Sequence, residues 1–403
     1  MAIPSPKPRW DLLLVLFVSS IGTSLFMAGL PLYLINMGLS SAEVASIIAL
    51  TALPNLLLGS KLGRWIDVAK RDTLFLKLSF LLATVELSLV YFLPMTSQST
   101  RPWWALIIMQ LFALMFSPLT TLVYQYLIPS LHSDETKIFA IWEFISAGAA
   151  VVAAGFSYIF LSRYAVEILL VIDACTFLFA GVATSFLWKP STPSEDSSTK
   201  VKFSISARSI VLADRTLLGA GLGMIVVAFS VHSIEANTTL INFRELGLST
   251  ASSVAVAASL GAVAASSAWV IQRKSIWVAN NLWDLQKYCL ISYAIVLGFL
   301  ALALYVQNGF LAVVSILIGA LIEPIWSVTN TRILRARTPE GRYGEVHGLL
   351  RMPRALFTII GASLVGWSQD REELWKFALI SAILVLLTNA VLQIIVSTRP
   401  TLH

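Results

Sequence analysis

Several ionisable residues lie within strongly apolar stretches of this 403-residue chain, and five of them are candidate site residues. They are Glu143, Glu235, Glu323, Arg351 and Arg354. A charged side chain near the centre of a bilayer costs about 2.5–3.5 kcal/mol on insertion scales, so such residues need partners or water. Carboxyls in this setting can take up and release protons, and neighbouring arginines can bind anions. The residue types therefore indicate proton transfer and ion pairing at membrane depth.

The composition requires a membrane around these residues. Hydrophobic residues make up 57% of the chain and charged residues 12%, and the mean hydropathy is +0.80. Soluble domains are about 45–50% apolar and about 25% charged, which excludes an ordinary soluble enzyme. The net charge of +6 then reflects membrane topology rather than nucleic-acid binding. Cys175 and Cys289 both lie in apolar runs, so neither a disulfide framework nor a thiolate metal site is indicated.

Windows of about 19 residues predict twelve membrane-spanning helices. Their predicted bounds are 12–35, 42–62, 73–94, 103–128, 137–160, 166–188, 217–241, 250–271, 287–306, 309–333, 346–367 and 373–397.

One long hydrophilic break divides the twelve segments into two sets of six. We predict an N-terminal six-helix half at 1–188, a polar linker without elements at 189–215, and a C-terminal six-helix half at 216–403. The halves also repeat a short motif, since Gly38–Ala42 resembles Gly247–Ala251. The predicted fold class is an all-α membrane protein with twelve transmembrane helices in two pseudo-symmetric six-helix bundles.

Lysine and arginine fall mainly in the loops on the side of the N-terminus and the linker. Because basic residues are retained on the cytoplasmic side, we predict a multi-pass protein of the bacterial inner (plasma) membrane with both termini cytoplasmic.

The loop after the second predicted span carries a family signature. Gly63–Asp72 contains a glycine, three residues, an aspartate and then a basic cluster, at Gly63, Asp67, Lys70 and Arg71. This pattern resembles the loop signature of the major facilitator superfamily. The resemblance implies the fold of that family, with a cavity between the two halves that opens alternately to each side of the membrane. It also implies that spans one, four, seven and ten line most of the cavity.

Two further stretches resemble one branch of the superfamily, which contains macrolide-efflux and enterobactin-exporter proteins. They are residues 169–177 in the sixth span and residues 335–349 leading into the eleventh. The branch resemblance implies efflux.

The acidic residues receive roles from this resemblance. Glu323, at the middle of a cavity-lining span, is the leading candidate for protonation coupled to transport, because burial disfavours the charged form of a carboxyl. Glu235, in the outer third of the seventh span, is the second candidate. The alternatives are a paired structural acid for Glu323 and a solvated interfacial acid for Glu235.

The two arginines of the eleventh span have two predicted roles. Glu143 and Arg351 occupy corresponding positions in the two repeats and could form an ion pair that closes an inner gate. Arg351 and Arg354 are three residues apart on much the same helix face and could bind an anionic substrate. Unrelated local partners and snorkelling to the interface are the alternatives.

The signature loop is predicted to form a gate. The resemblance places Asp67 by the N-terminus of the eleventh span, where exposed N–H groups and the helix dipole favour a carboxylate. Gly63 belongs to the same signature, and Lys70 and Arg71 would bridge neighbouring helices. Topological anchoring is the alternative for the two basic residues.

These observations predict a secondary active transporter that couples proton entry to the efflux of an amphipathic or anionic small molecule, such as a drug, a siderophore or a small peptide product. A proton-coupled importer and a non-transporting membrane receptor are the alternatives. No ATP-binding, zinc-protease or serine-hydrolase motif occurs, so we expect no enzyme activity, no cofactor and no metal. Expected partners are the substrate, protons and the bilayer, without nucleic acid, and the protein is expected to act as a monomer.

Overall fold

The structure is a computed structural model. It describes residues 10–36, 38–68, 77–85, 88, 103–123, 134–163, 167–187, 206–238, 241–339 and 341–397. Lys70, Arg71 and residues 189–205 of the predicted linker lie outside this part of the chain.

The described chain is helical and contains no strand within these ranges. The α-helices are α1 (Trp10–Asn36), α2 (Ser41–Leu50), α3 (Leu53–Val68), α4 (77–85), α5 (Trp103–Leu122), α6 (Glu135–Arg163), α7 (Glu167–Leu187), α8 (Ala207–Ala213), α9 (Arg215–Val227), α10 (Ser233–Ala236), α11 (Thr250–Arg273), α12 (Ser275–Asn280), α13 (Leu282–Tyr305), α14 (Gly309–Arg337), α15 (Tyr343–Asp370) and α16 (Leu374–Ser397). Two π-helical segments occur at Ala228–His232 and Ile241–Glu245.

Within the described residues, eight helices are long and apolar enough to cross a membrane. Their outer faces carry large exposed apolar side chains at helical spacing, as α16 does with Ile383, Leu387 and Ile394. A band of this kind would make a soluble protein aggregate and is matched by lipid here. The all-helical membrane class is thus confirmed, while the count of twelve spans stays a prediction.

The second predicted span is broken into two helices. A turn at Thr51 and Ala52 separates α2 from α3, and Pro54 lies in the first turn of α3. Proline has no N–H to bond the carbonyl four residues earlier, and it fits best in the first turn of a helix. The span predicted at 42–62 is confirmed as part of Ser41–Asp67, and this turn divides it into two helices.

The predicted linker contains an element that sequence reasoning excluded. Ser206 accepts a hydrogen bond from the Ser209 N–H and caps α8, whose Ala207 and Val211 are buried. Asp214 then accepts from the first N–H groups of α9. The prediction that 189–215 holds no element is wrong for Ala207–Ala213, because two small apolar residues on one helix face suffice to fix this turn against the core.

The repeated motif forms the same local structure in both copies. Gly38 and Gly247 both have positive φ angles, of 85° and 58°, which glycine adopts without steric cost. Two residues later, Ser40 and Ser249 cap the following helices by accepting from the N–H three residues on. The resemblance between the motifs therefore extends to backbone geometry.

Two helix pairs join the helices before the linker to those after it. The first pairs α15 with α2 and α3, and the second pairs α11 with α6. Glycine permits the close approach in the first pair, because a Cβ atom at Gly348 would lie 2.1 Å from the Gly59 carbonyl oxygen. In the second pair, a Cβ at Gly261 would lie 2.8 Å from the Ala147 oxygen. These pairs frame the space in which the ionisable residues meet.

The bundle has two ends, which we name by their contacts. The clamp end contains Asp67, Glu135 and Ser275. The cavity end contains Asp370 at the end of α15, where its carboxylate accepts a hydrogen bond from the Ala42 N–H at 3.1 Å.

Candidate functional site

A cavity of about 460 Å³ lies between the midpoint of the bundle and the cavity end. It is lined by α6, α11, α13, α14 and the region from the π segment to Asn242, with Ser24 from α1. Most of its wall is made of alanine, leucine, isoleucine and valine. The volume suits a drug-sized ligand, and the mainly apolar wall with a few polar groups is typical of small-molecule sites.

Glu323 of α14 lies at the deep end of this cavity. Its Oε2 accepts a hydrogen bond from the Tyr293 hydroxyl of α13 at 2.5 Å, and its Oε1 lies 3.4 Å from His232 Nε2. The Glu323 side chain is 30% exposed, although Tyr293 is fully buried. The carboxylate is therefore held from one side by two partners while its other side faces the cavity.

Arg354 of α15 fixes the protonation pattern of His232. Its guanidinium Nη2 lies 3.3 Å from His232 Nδ1. Arginine can only donate, so Nδ1 must accept, and a neutral ring then carries its hydrogen on Nε2. That hydrogen points to Glu323, so His232 donates a hydrogen bond to the Glu323 carboxylate. Arg354, His232 and Glu323 thus form a chain of hydrogen bonds from a fixed positive charge to a carboxylate.

Glu235 completes the cluster from the same helical region as His232. The two residues are three positions apart and share a helix face. Ligand atoms of His232, Glu235 and Glu323 lie within 4.8 Å of one another, and the Glu235 side chain is exposed to the cavity. Two carboxylates this close repel each other when both are ionised, so the pair favours holding one shared proton.

A π-helical turn lies at the start of the helix face that carries His232 and Glu235. The segment Ala228–His232 follows α9, and the Ser233 hydroxyl donates to the Ala228 carbonyl five residues back at 2.9 Å. Gly361 of α15 passes close by, since a Cβ there would lie 2.3 Å from the Phe229 oxygen. Such turns rotate the residues that follow them and are frequent at functional sites. The turn therefore sets the direction in which His232 and Glu235 point.

The same three residues could be considered as metal ligands. A metal on His232 Nε2 would require the ring hydrogen to sit on Nδ1, and Arg354 would then face a donor instead of an acceptor and lose its hydrogen bond. The arrangement consequently fits a hydrogen-bonded carboxylate better than a metal centre.

Glu143 lies on α6 and its partner is on α14. Its Oε1 accepts a hydrogen bond from the Ser327 hydroxyl at 2.6 Å, across the boundary between the two sets of helices. The gate contact between Glu143 and Arg351 stays a prediction. Neither Arg351 nor Arg354 is among the described residues that line the cavity.

Asp67 lies at the first turn of α15, where the sequence resemblance puts it. Its two carboxylate oxygens accept from the Gly344 N–H at 3.0 Å and the Glu345 N–H at 2.9 Å. Gly63 is one turn earlier on α3, and a Cβ there would lie 1.8 Å from the Gly344 oxygen. Aspartate and glycine of the signature thus contact the same turn, and the gating role itself stays a prediction.

Three contacts of this region escaped the sequence analysis. Glu135 of α6 pairs with Arg332 and with Arg335 of α14, the latter at 2.9 Å. Tyr293, which contacts Glu323, could have been noticed as a polar aromatic residue in mid-span. The Glu135 pairs connect residues about 200 positions apart, and nothing in a single sequence signals them.

Comparisons with known proteins agree with this architecture. The sequence profile of the Major Facilitator Superfamily matches residues 12–362. No curated protein shows a significant match to the chain. The human organic anion transporter MFSD10 (TETRAN) is similar in structure, with a TM-score of 0.74 and 12% sequence identity, over 95% of this chain and 98% of that protein.

Two bacterial structures are also similar. One is a homologue of the iron transporter ferroportin in an outward-facing state, with a TM-score of 0.69 and 17% identity over 96% of this chain and 99% of that one. The other is a homologue of the human lysosomal transporter Spinster in an inward-facing, unoccupied conformation, with a TM-score of 0.69 and 13% identity over 98% of both chains. Identities this low establish the fold alone. The macrolide-efflux and enterobactin-exporter branch stays a prediction.

Proposed function

The chain belongs to the Major Facilitator Superfamily, and from that premise we propose that it exports an amphipathic small molecule in exchange for protons. Membership makes the chain a multi-pass membrane transporter rather than an enzyme. Direction, coupling ion and substrate class belong to the proposal, as do the halves 1–188 and 216–403 on either side of the linker. So do a monomeric state, the bacterial inner membrane and cytoplasmic termini.

One observation carries the coupling proposal. Glu323 and Glu235 face the cavity at membrane depth, and their ligand atoms lie within 4.8 Å of each other and of His232. A buried carboxylate can be neutralised by a proton or by a substrate group. Because the two ligands would compete for one carboxylate pair, binding of one favours release of the other. Competition of this kind, combined with alternating access, produces exchange.

The residues around Glu323 would then tune the proton affinity of its carboxylate and would not bind the substrate themselves. Tyr293 and His232 donate to Glu323, and Arg354 fixes the donating form of His232. Their hydrogen bonds stabilise the ionised carboxylate between transport steps. We assign Asp67 and Gly63 to the gate at the clamp end, with Glu143 and Ser327 as a contact that must break when the halves separate there.

The experiment uses the purified protein in liposomes with an imposed pH gradient, while luminal pH is followed on addition of amphipathic drugs, siderophores, organic anions and short peptides. We expect substrate-dependent proton movement in the direction opposite to the substrate. Glu323→Gln should abolish it, whereas Glu43→Gln, an acid in a helix cap outside the cavity, should retain it.

Contrary outcomes separate the alternatives. Proton movement in the same direction as the substrate would replace export with import. Unchanged proton movement in Glu323→Gln would remove the coupling role from that residue. Substrate binding without any flux in either direction would favour a receptor.

A further inference from the structure

Three polar side chains line the cavity at the end away from Glu323. Ser157, Asn242 and Ser253 are 1%, 1% and 7% exposed, and the hydroxyl oxygens of the serines and the amide oxygen of Asn242 have no hydrogen-bond partner among the described residues. A buried polar oxygen without a partner costs on the order of 1–3 kcal/mol, and native structures contain few of them. Other buried polar atoms of the described residues also lack a partner, but only these three belong to residues that line the cavity, where a ligand can supply the missing hydrogen bonds.

Helix register brings the two serines to the same level. In the antiparallel pair of α6 and α11, Ala147 lies against Gly261, and just beyond the pair Asp134 before α6 contacts Ser275 at the start of α12. Continuing this register toward the cavity end puts Ser157 opposite Ser253. Asn242 comes from the segment that leads into α11.

The two ends of the cavity differ in charge. The described residues that line it include the carboxylates Glu235 and Glu323 but no lysine, arginine or histidine. On α11 the lining residues run from Ser253 to Ala264, about 17 Å along the helix at 1.5 Å per residue. An apolar wall separates the carboxylate end from the uncharged polar end.

We propose that Ser157, Asn242 and Ser253 form a second, uncharged subsite, and that the substrate is an elongated amphipathic cation with a hydroxyl or amide group at its far end. The inference rests on the proposed function and narrows its substrate class. The cationic head binds at Glu235 and Glu323, its apolar body lies along α11, and the far group bonds the three orphan oxygens.

A matched pair of probes tests the subsite. Decyltrimethylammonium and 10-hydroxydecyltrimethylammonium share the head and the chain, and only the second carries a terminal hydroxyl. Equilibrium binding is measured with the protein in nanodiscs, with empty nanodiscs as the blank. We expect the hydroxylated probe to bind about fivefold more tightly, the effect of roughly one net hydrogen bond. In a purely apolar cavity the hydroxyl would weaken binding instead.

The triple variant Ser157→Ala, Asn242→Leu, Ser253→Ala should reverse the preference. Its thermal midpoint should fall little, because the three oxygens that are removed have no hydrogen-bond partner among the described residues. Ser259→Ala is the matched control, since this exposed serine bonds only a carbonyl of its own helix and does not line the cavity. Glu323→Gln should weaken both probes by similar factors.

The outcomes distinguish the two proposals. Equal affinity of the two probes, or a preference that persists in the triple variant, would overturn the subsite even if proton exchange is found. Failure of both probes to bind the wild type would overturn the cationic class. If the hydroxylated probe binds more tightly but no proton movement is seen in liposomes, the subsite proposal stands and the proton-coupling proposal is wrong.

Discussion

The clamp end and the cavity end join the same two sets of helices in different ways. At the clamp end, α3 and α15 meet through glycine backbones, Asp67 accepts two backbone N–H groups, and Glu135 pairs with two arginines of α14. At the cavity end, Asp370 accepts the Ala42 N–H, and Gly366 lies against Ala45. Within the described residues, the ion pairs between the two sets of helices and the tightest backbone approaches thus lie at the clamp end, while at the cavity end a Cβ at Gly366 would lie 2.8 Å from the Ser41 oxygen.

This difference shows which end should open more easily from this conformation. Charge-assisted hydrogen bonds are roughly twice as strong as neutral ones, and the clamp end combines several of them with a steric fit. Glycine contacts also act over a short range, so they are lost entirely when the helices separate by a few ångströms. Opening toward the cavity end therefore breaks fewer interactions.

The largest effect on the opening of the clamp end is expected from the steric contact between Gly63 and Gly344. In Gly63→Leu the new side chain would meet the Gly344 carbonyl, where a Cβ alone would lie at 1.8 Å. Overpacking of this kind costs about 1–3 kcal/mol or more, enough to shift the population away from the closed clamp end by at least about fivefold. Spin labels replacing Lys61 and Lys274 should move apart in electron–electron distance measurements.

Gly155→Leu provides the control, because no atom of the described residues lies within 4 Å of a Cβ at that position. Equal distance distributions in Gly63→Leu and the wild type would mean that the glycine contact does not hold the clamp end.

A smaller effect in the same direction is expected for Asp67→Asn. The variant keeps one acceptor oxygen but loses the charge that binds the Gly344 and Glu345 N–H groups, at a cost of about 1–2 kcal/mol. The same pair of labels should report a larger open fraction. A distribution identical to that of the wild type would show that the carboxylate does not favour this state.

Asp370→Asn should favour opening of the cavity end instead of the clamp end, and its effect should be weaker than that of Asp67→Asn. It weakens one exposed hydrogen bond to Ala42, worth about 0.5–1 kcal/mol, at the other end of α15. Opening of the cavity end should increase, while the distance between the labels at the clamp end stays unchanged. An increase at the clamp end would contradict the separation of the two ends.

The smallest effect concerns pH at the cavity end. Burial, then the nearby charges of Glu372 and Asp370, raise the pKa of Glu245 above 4.5. A raised carboxyl pKa adds stability that is full below 4.5 and is lost as pH rises through the raised value, because the folded state binds the proton more tightly.

Glu245→Gln, which mimics the protonated acid, should therefore unfold slightly above the wild type at pH 7, by about 1 °C. The difference should shrink as pH falls toward 4.5, in thermal scans at matched ionic strength. A difference that grows on acidification would refute the sign.

Composition and periodicity predict the helices well, since a lipid-facing helix must be apolar over a length set by the bilayer. The tenth predicted span, 309–333, begins where α14 begins, and a local signature predicts where Asp67 lies. Tertiary contacts are harder to predict from the sequence. The Glu143–Ser327 contact and the Glu135 pairs were missed, because partners far apart in sequence depend on how helices rotate against one another. Proline chemistry could have predicted the break before Pro54.

The π-helical turn at Ala228–His232 has a consequence for how this chain can change in evolution. A π turn contains one residue more than an α turn, so loss of one residue there would restore regular spacing without breaking the helix. The same loss would rotate everything that precedes the turn by about 100° relative to His232 and Glu235. Descendants of this sequence should therefore tolerate substitutions in the segment more readily than a change in its length.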